Sequence, residues 1–266
     1  MILTLLTDYG REDDFVGVCH AVIASIAPDA RVIDLSHGIA RHDVRQGALV
    51  LRGTLPYLPV GVHVAIVDPQ VGTERRAVAL RTEDGRMFVG PDNGLLSLAA
   101  ERAGGVVEAV DVSRSPHRLE PVSATFHGRD VFCPVAAHLA RGDELAEAGE
   151  PLDPDQLETI VLPEPRKEGD ALVAHVLTID RFGNAALNVS HAELAGTGIV
   201  LGGQVEIQRG TEHFNGVMAH TFADVRSGDI LVYEDSYRSL AIAINRGDAA
   251  ATLQLAPDTE VRITPR

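Results

Sequence analysis

The sequence predicts two domains: an α/β N-terminal domain over residues 1–165, with a mostly parallel sheet and helices on both faces, then an all-β, barrel-like C-terminal domain over residues 166–266. Three observations carry this. Strand-like and helix-like segments alternate through the first 140 residues, as in folds where crossover helices cover both faces of a parallel sheet. Residues 143–169 turn acidic and proline-dotted (Pro151, Pro154, Pro163, Pro165), the composition of a domain boundary. From Ala171 only short strand-like runs with turns remain, which suits a small barrel or sandwich.

Each element follows from a local pattern. Residues 2–7, Ile-Leu-Thr-Leu-Leu-Thr, read as a buried strand ending at Asp8. Asp13 and Asp14 put acids at the positive end of a helix running to Ile26, with Phe15, Val18, Val22 and Ile26 at helical spacing. Residues 31–35 read as a strand and 43–55 as a helix closed by Pro56. Residues 63–67 form a third strand that runs straight into Asp68. Strands at 77–81 and 87–89 flank Glu83-Asp84-Gly85-Arg86, a hairpin signal. A helix at 94–103, a strand at 106–112 and a helix at 130–141 complete the domain. In the second domain the expected strands are 172–179, 185–189, 204–208, 230–233, 240–244, 251–255 and 261–263.

Composition narrows the function. With 23 basic and 38 acidic residues the formal charge is −15, which argues against nucleic acid, because neutralising phosphates needs a basic face. No apolar run approaches the roughly 18 residues of a membrane span, and the first residues lack a signal peptide's basic start. Cys19 and Cys133 sit in helix-like segments without the spacing of a metal or redox pair. A reduced, cytoplasmic protein is expected.

Two blocks hold the candidate chemistry: Asp68-Pro-Gln-Val-Gly-Thr-Glu-Arg75, and Phe126-His-Gly-Arg-Asp130. Each follows a strand-like run, where an α/β sheet offers its binding crevice. Asp68, Arg75 and His127 supply a carboxylate, a guanidinium fork that fits it, and an imidazole suited to proton transfer near neutral pH. Such a trio can hold and activate water, although Asp68 could also simply close a turn and Arg75 pair with it. Asp8 can accept hydrogen bonds from a ribose diol, or cap its turn. No phosphate-cradling glycine loop is present. Asp34, His37, His42, His63 and His127 could be gathered into a ligand set, but none has H-x-x-x-H or H-E-x-x-H spacing, so no metal is expected. In Asp180-Arg-Phe182-Gly-Asn184, Asn184 can read an adenine edge, Phe182 can stack and Asp180 can meet an ammonium, or the loop is a bulge with Gly183 at positive φ.

Seven colinear blocks, at residues 7–13, 68–75, 91–96, 126–130, 180–184, 221–224 and 243–247, resemble the S-adenosylmethionine hydroxide adenosyltransferases, SAM hydrolases related to the fluorinase and chlorinase enzymes. The resemblance covers essentially the whole chain. It implies water attack at the ribose 5′ carbon of S-adenosylmethionine, giving adenosine and methionine without a cofactor. It matches Asp68, Arg75 and His127 to the water-activating triad and Asp8 to the ribose ligand. Asp180 and Ser236 match the methionine side. Phe126, Phe182, Asn184, Phe222, Asn245 and Arg246 match the adenosine pocket, with Gly128 beside it. It also implies a homotrimer with sites at subunit interfaces. Gln70 replaces a glycine usual in the first block, and 235–239 departs from the usual form.

The alternatives are a chlorinase-type halogenase, a non-catalytic nucleoside- or SAM-binding protein, and a metal-dependent phosphoesterase. Against halide attack, a carboxylate about 4 Å from an anion costs roughly 4 kcal/mol at an effective dielectric near 20, about a thousandfold.

Overall fold

In the computed structural model, which describes residues 1–266, the chain forms two units, Met1–Ile160 and Val161–Arg266. The first unit is built on one seven-stranded sheet: β1 (Ile2–Thr7), β2 (Arg31–Ser36), β3 (Val62–Ile66), β4 (Ala77–Thr82), β5 (Met87–Pro91), β6 (Val106–Asp111) and β7 (Glu150–Leu152), in the order β2-β1-β3-β5-β4-β6-β7. β2, β1, β3 and β5 pair parallel, and β4 is antiparallel to both β5 and β6. Five of the seven strands therefore point the same way, with only β4 and β7 reversed.

Four helices cover this sheet: α1 (Phe15–Ile26), α2 (Val44–Thr54), α3 (Ser97–Arg102) and α4 (Cys133–Arg141). Leu3, Leu5, Val62, Val64 and Ile66 share a core with Cys19 and Ile23 of α1 and the apolar face of α4. The alternate residues Leu6, His63 and Ala65 turn to the other face, while α2 and α3 pack against each other. Local chemistry sets the ends. Asp43 accepts the Gln46 amide at 2.9 Å and caps α2. Gly142, at φ +111°, closes α4 in the left-handed conformation that only glycine adopts cheaply. The β4–β5 hairpin turns at Gly85 (φ +84°), where the sequence signal placed it.

The second unit contains β8 (Arg166–Glu168), β9 (Ala171–Ile179), β10 (Ala185–Ser190), β11 (Gln204–Arg209), β12 (Glu212–Met218), β13 (Ile230–Glu234), β14 (Ser239–Ile244) and β15 (Glu260–Pro265). They run β10-β14-β13-β12-β11-β15-β9-β8, and a β9–β10 pairing closes the sheet into a barrel.

The structure corrects several expectations. Residues 251–255 are not a strand: Asp248 accepts the Ala251 amide at 2.8 Å and starts a short helix at Ala249–Thr252. β12 was missed because Glu-His-Phe-Asn alternates weakly; its pairing with β11 holds it extended. Residues 143–169 are not all linker. β7 pairs with β6 at the sheet edge, where Pro151 costs no ladder bond. The helix expected from Asp130 begins with a π-helical turn at Gly128–Phe132 before α4.

His63 lies fully buried in β3, beside Thr4 of β1, whose hydroxyl is 2.9 Å from its Nδ1. Burial first, and the Arg86 charge second, push its pKa down to about 4. The unfolded chain takes up that proton near 6.5. Between those values the unfolded state binds more protons, so stability rises with pH and is fully present above 6.5. We expect His63 to remove about 3 kcal/mol of unfolding free energy as pH falls from 7 to 4. Urea denaturation across that range, compared with His63→Gln, checks this: equal pH slopes in both proteins would refute it.

Candidate active site

β1 and β3 are neighbours, so their carboxyl ends deliver Asp8 and Asp68 side by side, and the Asp8 amide still bonds to Ile66 O at 3.3 Å. After Asp68 the chain makes two tight turns. The Val71 amide donates to Asp68 O, and the Thr73 amide and hydroxyl both donate to Gln70 O. Gly72 stands at φ +79°, and a Cβ there would collide with Ala124 O of the second motif's approach. Gln70 is absent from the left-handed residues, so its replacement of glycine imposes no backbone strain.

These turns fold Arg75 back onto Asp68. Arg75 Nε donates to Asp68 Oδ1 at 3.1 Å, Nη2 donates to Oδ2, and Nη2 also lies 3.2 Å from His127 Nδ1. Only 6% of the Asp68 side chain and 2% of the Arg75 side chain are exposed. Phe132 backs the guanidinium, its ring centre 5.4 Å away. Arg75 Nη1 is buried with no partner in the chain. His127 stands at the mouth of the π-helical turn. Burial, and then the Arg75 charge, hold its pKa below the ordinary histidine value, against weaker opposing pulls from Asp68 and Asp130.

Asp8, Asp68, Phe126, His127 and Gly128 line one cleft of about 440 Å³, together with Tyr9, Asp13, Phe15, Arg41 and His42. Asp8 Oδ2 accepts the His42 amide at 2.9 Å, which aims the carboxylate. Tyr9, Phe15 and Phe126 pack as one apolar wall, Phe126 edge to face with the other two and Tyr9 tilted against Phe15. A side chain at Gly128 would strike the Tyr9 hydroxyl, whose pKa burial raises well above normal. Tyr9 is not among the expected site residues, although its place between Asp8 and Gly10 was a signal.

The remaining expected site residues lie in barrel loops. Asp180 accepts the Phe182 and Asn184 amides at 2.8 and 3.0 Å and the Asn184 side chain at 2.8 Å, with Gly183 at φ +81°. Phe182 is 64% exposed, and Arg181 stacks on its ring. Phe222 packs on Tyr233, whose pKa is pushed up to about 12 by burial and then by Asp180 and Asp235. Asn245 donates to Val225 O, Arg246 follows at φ +60°, and Ser236 lies in the β13–β14 turn. The candidate metal ligands separate. Asp34 and His37 come together with His20, a residue outside the expected ligand set. His42 lies by Asp8, His63 in the core and His127 by Arg75.

Residues 3–149 match the SAM hydroxide adenosyltransferase N-terminal domain, and residues 174–262 match the corresponding C-terminal domain. An (R)-S-adenosyl-L-methionine hydrolase of Salinispora tropica is 46% identical over 98% of this chain and 97% of its own. A fluorinase of an Actinoplanes species is 30% identical over 99% and 97%. The crystal structure of an uncharacterized conserved protein from Thermotoga maritima superimposes with a TM-score of 0.92 at 36% identity, covering 99% of this chain and 100% of that one.

The buried pair has an energetic consequence. Arg75→Leu strands Asp68 without its partner and is expected to cost about 3–5 kcal/mol of stability, while Asp68→Asn added to it restores most of the loss. Urea unfolding of both variants decides; equal stability of single and double variants would contradict the coupling.

Proposed function

The chain belongs to the SAM hydroxide adenosyltransferase family, and we propose that it hydrolyses S-adenosyl-L-methionine to adenosine and L-methionine. The observation that carries this reading is the joining of Asp68, Arg75 and His127 at a cleft that Asp8 also lines. Asp8 holds the ribose hydroxyls. Water attacks C5′ in line with sulfur: its oxygen bonds to carbon, the C5′–S electron pair leaves on a neutral thioether, and one water proton passes to the protein. No cofactor is required, because the sulfonium is already an activated leaving group. In-line placement supplies much of the rate.

The hydrogen bonds favour a division of labour. Arg75 can only donate, so His127 Nδ1 accepts from it and the neutral ring carries its proton on Nε2. His127 is then a donor that fixes the water oxygen. Asp68 keeps a lone pair on each oxygen beyond those given to Arg75, and takes the proton. Arg75 stabilises the developing hydroxide character. Because Arg75 neutralises Asp68 from behind, a halide would meet a dipole rather than a bare charge, and the repulsion falls below the roughly 4 kcal/mol of an isolated carboxylate. The carboxylate still faces the cleft, where it attracts a sulfonium. A halide, moreover, brings no proton for it to accept.

The same reading takes the protein as a cytoplasmic homotrimer, in which the barrel loops of one copy complete the cleft of the next with adenine and methionine contacts. The exposed Phe182 ring and the two free buried thiols support it. No helix is long and apolar enough to cross a membrane.

Turnover in 18O-labelled water is expected to place one solvent oxygen at the 5′ position of adenosine; unlabelled adenosine, or a 5′-halogenated nucleoside formed in chloride, would overturn the mechanism. Asp68→Asn and His127→Ala are each expected to lower kcat by about 10²–10⁴ with a smaller change in KM. The lowered pKa of His127 keeps its ring neutral into mild acid, so the acid limb of the kcat profile is expected below pH 6.5.

A further inference from the structure

His20 on α1, Asp34 on β2 and His37 just past β2 bring three donor atoms within 4.8 Å of one another, and none of the three lines the cleft described above. The Nε2 atoms of His20 and His37 stand 2.8 and 3.1 Å from the same oxygen, Asp34 Oδ1. His37 is only 2% exposed, yet its Nε2 has no hydrogen-bond partner; Oδ1 is close but not in line. Its other nitrogen, Nδ1, is 2.8 Å from Thr7 Oγ1. That outer contact is the kind that fixes the ring and tautomer of a metal-bound histidine. With the proton on Nδ1, the Nε2 lone pair and the Asp34 carboxylate are two acceptors facing each other, a conflict that a cation between them removes.

We propose that His20, Asp34 and His37 form a binding site for a divalent transition metal of the zinc class. Two imidazoles and a carboxylate suit zinc, cobalt or nickel better than magnesium or calcium. His20 and Asp34 are partly open to solvent, which completes the coordination. The chain's other histidine–aspartate group provides the contrast. There His138 Nδ1 is 2.8 Å from Asp143 and His117 stacks on His138, but Arg141 Nη2 donates to Asp143 at 3.0 Å and lies 3.1 Å from His138 Nδ1. A guanidinium already occupies the cation's place. No such cation faces the His20 group, so the metal acts as a staple joining α1 and β2. Thr7 and the Gly10 amide, which donates to His37 O at 2.9 Å, connect the staple to the strand end carrying Asp8.

Titrating EDTA-treated protein with Co2+ tests this. One equivalent is expected to give saturable d–d absorption that Zn2+ displaces, and Zn2+ is expected to raise Tm. His20→Ala and Asp34→Asn, both at partly exposed positions, are each expected to weaken binding more than about tenfold and to abolish the Tm shift, whereas His117→Ala leaves both unchanged. Absence of saturable absorption in the wild-type protein, or its survival at full affinity in His20→Ala and Asp34→Asn, would overturn the proposal.

Discussion

A carboxylate and a guanidinium, buried side by side at the carboxyl edge of the first sheet, set the terms for what surrounds them. Two charges taken out of water are tolerable only with good geometry and further hydrogen bonds. Arg75 meets the first demand with a fork onto both Asp68 oxygens, and it reaches them only because the chain turns twice within seven residues. Gly72 lets that turn press against Ala124, and Phe132 supplies a flat backing for the guanidinium. The imidazole of His127 then receives a hydrogen bond whose direction is already decided.

Much of the fold was legible because its periods were clean. Alternating βα segments placed the sheet, and Asp43 and Gly85 announced a helix start and a turn that the structure uses. The failures share a cause. Residues 251–255, Ala-Thr-Leu-Gln-Leu, alternate as a strand would, but Asp248 overrides that pattern by capping a short helix. β12 carries a polar sequence and is extended because β11 pairs with it. In the site, the motifs named Asp68, Arg75 and His127, but not the tautomer, which depends on a contact across 52 residues. His20 could not be joined to Asp34 and His37 by spacing, since a helix face meets a strand end only after folding.

The barrel loops carry a different lesson. Asp180 and Asn184, singled out for ligand contacts, hold each other and the loop backbone, and Asn245 ties its own loop to Val225. Groups used this way arrive at a ligand already ordered, so less conformational freedom is lost on binding. Phe182 then projects from that loop 64% exposed, with the Arg181 guanidinium lying over its ring.

The close approach of Gly72 to Ala124 also bears on how the protein becomes competent during folding. Asp68 and Arg75 are near in sequence and can find each other early, at small loop-closure cost. His127 lies 52 residues from Arg75, beyond β4, β5 and β6 in the chain, so bringing it to the pair closes a longer loop at a greater entropic cost. The ion pair is thus a local event and the complete trio a global one. Under the proposed mechanism, a chain that held the first without the second would carry the carboxylate and its guanidinium but lack the imidazole.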